Sequence, residues 1–182
     1  MKAIPTKIDG LYIIEPRVFK DARGYFFESY SKHKFDNEIR AVDFVQDNES
    51  CSTKGVLRGL HFQKPPYSQA KLVRCVRGAV LDVAVDLRKD SPTYGEHVAV
   101  ELSEENHLQF FIPKGFAHGF EVLTDTAIFQ YKCDEYYHPE TEGGIDPFDE
   151  TLAISWHISP ELAIVSEKDK THPKLSDFKS PF

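Results

Sequence analysis

The sequence predicts an all-β fold, an antiparallel β-barrel or double-sheet jelly roll with short flanking helices. Three observations point there: the apolar runs are strand-length and rich in β-branched and aromatic residues, the clearest period is two, and helical period is nearly absent. Ten runs qualify as strands: residues 11–14, 24–30, 42–46, 56–63, 71–76, 79–87, 98–102, 108–112, 119–123 and 127–132. In the run 79–87, Leu81, Val83, Val85 and Leu87 alternate with Val80, Asp82, Ala84 and Asp86, which gives one apolar and one mixed face. Short helices are expected over residues 31–39 and in the tail between Ser159 and Asp169. The 14 phenylalanines and 8 tyrosines suit a barrel with aromatic side chains around a ligand cavity, and they suit a plain sandwich core as well.

A chain of 182 residues with no repeat, linker or low-complexity block reads as one domain, 1–182. Its 41% hydrophobic and 28% charged residues place it among globular proteins rather than disordered or fibrous ones. The net charge of −7 has the wrong sign for a general nucleic-acid binder, so any phosphate must be met by a few placed cations. Cys51, Cys75 and Cys133 are odd in number and far apart, which argues for reduced thiols rather than a disulfide framework. Without a signal-like apolar segment or a run approaching the ~18 residues of a membrane span, the protein is expected to be soluble and cytoplasmic.

Four segments hold polar residues among apolar neighbours. Asp21-Ala22-Arg23-Gly24 leads into Tyr25-Phe26-Phe27-Glu28, which reads equally as a simple hairpin. Gln46-Asp47-Asn48-Glu49-Ser50 is a polar strand end that by itself is a loop. Arg58 and His61 sit inside an apolar strand, and burying either costs several kcal/mol unless it is paired. His118 follows a Pro113-Lys114-Gly115 turn. Two strand histidines raise the question of a metal, but position 63 is Gln where a second ligand after His61 would be expected. His33, His97, His107, His138, His157 and His172 show no matching carboxylate spacing, so no metal and no cofactor is expected. A neutral histidine in an apolar slot is a proton acceptor near pH 7, and Tyr131, on a face with Ala127 and Phe129, is a candidate acid. Either side chain is also explained as a satisfied buried group.

Taken in order, Arg23-Gly24-Tyr25-Phe26-Phe27-Glu28, Gln46-Asp47-Asn48, Val56-Leu57-Arg58-Gly59-Leu60-His61-Phe62-Gln63, Lys71-Leu72-Val73-Arg74, Asp82-Val83-Ala84-Val85-Asp86, the 112–120 segment around His118 and Tyr131-Lys132 resemble the dTDP-4-dehydrorhamnose 3,5-epimerase family. The resemblance runs over residues 13–169. It implies a metal-free cupin-type jelly roll, a homodimer in which an N-terminal strand is exchanged into the partner's sheet, and a nucleotide-sugar substrate, dTDP-4-dehydro-6-deoxy-glucose, inverted at C3 and C5 on the way to dTDP-L-rhamnose.

By the same resemblance His61 is the base, Asp169 holds its imidazole in one tautomer, Tyr131 is the acid and Lys71 meets the charge on O4. Arg23 and Glu28 from the exchanged strand, with Gln46, Asp47, Asn48, Arg58, His118, Glu142 and Lys168, would hold substrate. Arg58 and His61 fall on opposite faces of a regular strand, so either Gly59 carries a bulge or Arg58 reaches the nucleotide from outside. After Glu142, many relatives carry a Trp-Asn/Asp pair where this chain reads Gly143-Gly144-Ile145-Asp146. An epimerase acting at one carbon, a metal-dependent cupin and a non-catalytic sugar-binding barrel are the competing readings.

Overall fold

The structure, a computed structural model, describes residues 1–182. Thirteen strands form around one short helix: β1 (Lys2–Pro5), β2 (Tyr12–Glu15), β3 (Val18–Asp21), β4 (Gly24–Phe27), α1 (Lys32–Glu38), β5 (Gln46–Thr53), β6 (Leu57–Gln63), β7 (Lys71–Arg77), β8 (Ala79–Asp86), β9 (His97–Ser103), β10 (Gln109–Ile112), β11 (Phe116–Val122), β12 (Thr126–Cys133) and β13 (Glu142–Gly144). They assemble into a six-stranded sheet β1-β2-β10-β7-β12-β5 and a five-stranded sheet β13-β6-β11-β8-β9, both antiparallel, with β3 and β4 forming a separate hairpin. This is the expected jelly roll.

The two sheets face each other over a core that includes Val73, Phe110, Phe129, Val80, Ala84 and Phe120. Phe120 stacks on Phe129 with ring centroids 4.3 Å apart. Burying one such side chain contributes about 1.5–3 kcal/mol, so the interior is held chiefly by these rings. On the outer side of the five-stranded sheet, Leu60, Phe62, Val83, Val85 and Leu87 are covered by Trp156, Leu175, Phe178 and Phe182 of the C-terminal segment. The apolar face of β8 therefore lies under the tail, and its mixed face, with Asp82, faces the barrel interior. α1 closes the outer side of the other sheet, with Phe35 packed edge-on against Phe111.

Several expectations are corrected. Residues 46–53 form a full strand rather than a loop, pairing with β12 from Gln46↔Cys133 to Thr53↔Thr126. Residues 42–45 are irregular, not strand. The tail between Ser159 and Asp169 forms turns rather than a helix, because its residues dock singly: Ile164 makes a parallel bridge to Val56. β11 begins at Phe116, three residues before the expected 119. The helix expected at residues 31–39 is present as α1. No helix is long and apolar enough to cross a membrane.

Candidate active site

A cavity of about 430 Å³ opens between the sheets, lined by Arg58 and His61 of β6, Lys71 of β7, His118 of β11, Tyr131 of β12, Ser50 of β5 and Asp169 of the tail. Five strands and the tail thus converge on one space. Arg58 and His61 share it because β6 is irregular: His118 pairs with His61 and Phe120 with Arg58, so three steps on β6 face two on β11. Gly59 makes the irregularity possible, with φ of +128° and a position where an added Cβ would fall 2.5 Å from the Gly119 Cα. Gly59 carries the bulge.

His61 Nε2 lies 2.6 Å from Asp169 Oδ1, and the Gly59 amide donates to the other oxygen at 3.4 Å. An ionised carboxylate only accepts, so Nε2 carries the ring proton and Nδ1 holds the lone pair. Burial pushes the Asp169 carboxyl upward, but the His172 and His61 imidazoles and the Gly59 amide outweigh it and hold it well below the usual carboxylate range. A second pair lies deeper: His118 Nε2 is 2.9 and 3.1 Å from the two oxygens of the fully buried Asp82. Burial lowers His118, which favours a neutral ring donating to Asp82.

Lys71 Nζ stands 5.8 Å from the centre of the Tyr131 ring. Burial pushes the Lys71 ammonium below the ordinary lysine range, while Asp82 and Glu142 are among the anions that oppose the shift. Tyr131 moves the other way, raised by burial. At neutral pH the phenol therefore keeps its proton. The arrangement joins an oriented base, a protonated phenol and an ammonium in one partly dry space, the equipment for moving a carbon-bound proton next to a carbonyl.

Arg58 Nε donates to Ser52 Oγ at 3.0 Å. Glu142 accepts from Tyr137 Oη at 2.6 Å and pairs with Lys168. Asp47 and Asn48 line a neighbouring cleft of about 330 Å³ that shares Tyr131 with the cavity. Asn48 takes a hydrogen bond from Gln46 at 3.0 Å, and the exposed Asp47 pairs with Lys132 at 2.9 Å. Arg23 and Glu28 do not reach the cavity of their own chain. Arg23 is paired with Asp21 on the exposed hairpin, and Glu28 with Lys34.

The structure also brings in His172, which the sequence reading passed over. It lies three residues beyond Asp169, with Nε2 3.5 Å from Asp169 Oδ1, and its ring meets His61 edge-on. Only the docked tail brings it beside the carboxylate.

Comparison with known proteins gives the family. The sequence model of the family described as dTDP-4-dehydrorhamnose 3,5-epimerase matches residues 5–177. The dTDP-4-dehydrorhamnose 3,5-epimerase of Escherichia coli K12 is 54% identical over 171 residues, covering 93% of this chain and 92% of that one. Among solved structures, the enzyme of the same name from Elizabethkingia anophelis superposes with a TM-score of 0.93 at 52% identity, over 97% of each chain. A 3,5-epimerase from Legionella pneumophila, solved in complex with dTDP-4-keto-L-rhamnose, superposes with a TM-score of 0.93 at 49% identity, over 98% of this chain and 94% of that one.

Proposed function

This chain belongs to the dTDP-4-dehydrorhamnose 3,5-epimerase family, and from that premise we propose how its residues invert C3 and C5 of dTDP-4-dehydro-6-deoxy-D-glucose to give dTDP-4-dehydro-L-rhamnose in dTDP-L-rhamnose biosynthesis. The C4 ketone acidifies the hydrogens on both neighbouring carbons. His61 Nδ1 takes one of them, and the electron pair moves onto O4 as an enolate. The imidazolium is stabilised by Asp169. Lys71 faces the O4 charge, where a preorganised cation in a water-poor site lowers the barrier by several kcal/mol. Tyr131 returns a proton to carbon from the opposite face and regains one from solvent, while His61 loses its own. Repetition at the second carbon completes the inversion.

The observation that carries this reading is the 2.6 Å His61–Asp169 contact in the cavity that also holds Lys71 and Tyr131. Gln46, Asp47, Asn48, Arg58, His118, Glu142 and Lys168 hold the nucleotide-sugar, Arg58 meeting phosphate with its planar fork.

Arg23 and Glu28 reach the cavity of a second copy. The hairpin that carries Arg23 displays Phe19, Tyr25 and Phe26, 50%, 58% and 70% exposed, which is costly in water and natural for an arm laid on another subunit. The enzyme is a cytoplasmic homodimer, in keeping with its three free cysteines. Turnover in deuterated water tests the reaction: label at both C3 and C5 is expected, and label at one carbon alone defeats double inversion.

A further inference from the structure

One buried nitrogen beside the catalytic pair, His172 Nε2, meets no partner in good hydrogen-bond geometry and has only the long approach to Asp169. Its side chain is 9% exposed and stands 3.5 Å from Asp169 Oδ1. One ligand atom each from His61, Asp169 and His172 lies within 4.8 Å of the others. The seat of His172 is shaped for it: a Cβ on Gly144 would fall 2.3 Å from His172 Nε2, so this ring position depends on the glycine.

We propose that His61, Asp169 and His172 form a binding site for one divalent transition-metal ion of the zinc class. Two imidazoles and a carboxylate make a three-ligand set that leaves a fourth tetrahedral position for water, whereas magnesium and calcium favour all-oxygen shells. With metal–ligand bonds of ~2.0–2.2 Å, tetrahedral donors sit roughly 3.3–3.5 Å apart, and the His172–Asp169 pair already has that spacing. The short His61–Asp169 bond must open as its proton gives way to the ion, and the two imidazole nitrogens must settle at the same spacing within a cluster whose ligand atoms already lie within 4.8 Å of one another.

The effect on turnover rests on the reading of His61 as the base. An ion on Nε2 obliges the neutral ring to carry its proton on Nδ1, and no lone pair is left for the sugar. Zinc is then a reversible inhibitor, since the proposed reaction routes no step through a metal.

The test is calorimetric titration of chelator-treated, dialysed protein with zinc chloride. One equivalent is expected to bind, with His172→Gln and Gly144→Ala each weakening the affinity at least about tenfold. Cobalt(II) added to the unmutated protein is expected to give the intense visible bands of a tetrahedral site. The absence of a saturable site, unchanged affinity in both variants, or the pale spectrum of six-coordinate cobalt would each overturn the proposal. Zinc bound through His172 without any slowing of turnover would uphold the metal site and overturn His61 as the base. Turnover that requires His61 in a protein that takes up no zinc would sink the metal site alone.

Discussion

Arg58 and His61, three residues apart on one strand, line the same cavity. A regular strand would send them to opposite faces, so the site depends on the bulge at Gly59. Gly59→Ala sets a side chain at φ of +128° and 2.5 Å from the Gly119 Cα. A loss of about 3 kcal/mol or more is expected, since the strained backbone and the clash add. Urea unfolding measures it, and a variant of unchanged stability would show that β6 can straighten.

His61→Asn is expected to stop solvent exchange at both carbons, and Asp169→Asn to slow it about 10²–10⁴-fold by releasing the ring tautomer. Asp169 also bears on acid stability. Its carboxyl is depressed in the fold, so its contribution is full above the unfolded value of about 3.9 and fades as pH falls through the lower folded value. Asp169→Asn should flatten that part of the acid unfolding curve.

Tyr131→Phe removes only the returning proton. Hydrogen loss from substrate should therefore survive better than inversion, which deuterium washout compared with product formation will show. Equal loss of both would contradict the division of labour.

Lys71 and Tyr131 are shifted in opposite directions, the ammonium downward and the phenol upward. As pH rises, loss of the Lys71 cation should make kcat/KM begin to fall below the ordinary lysine value of about 10.4. Lys71→Gln should lower kcat/KM about 10²–10³-fold and abolish that limb. A limb that persists in the variant belongs to another group.

Arg23→Ala and His61→Asn subunits should each be inactive alone. Mixed and re-associated, they form heterodimers with one intact site, restoring roughly a quarter of the native activity. No restoration would mean that Arg23 serves its own chain or none.

The sequence announced its strands wherever apolar residues alternated or ran together, as in β7, β8 and β12. It hid β5, because a strand whose exposed face carries Asp47, Glu49 and Cys51 and whose inner face carries Asn48, Ser50 and Ser52 has no apolar period. The residues that line a polar cavity are thus the ones that disguise their own strand. His61 stood out as a polar group in an apolar strand and Tyr131 as a candidate acid, whereas Lys71 and the roles of all three came only from the family resemblance. Their geometry was not legible, since His118 meeting Asp82 or Asp169 meeting His61 depends on pairing between residues 36 and 108 positions apart. His172 was passed over for the same reason, sitting in a tail with no regular structure to read.

The carboxylate that steers His61 is borne by the segment that blankets the outer surface of the five-stranded sheet, not by the barrel itself. A molecule with every strand in place but this last stretch undocked would have a complete barrel and an unsteered imidazole. Turnover is therefore a gauge of how well the tail is seated, and changes at Trp156 or Phe178, far from any sugar, would register as lost catalysis before they registered as lost sheet structure.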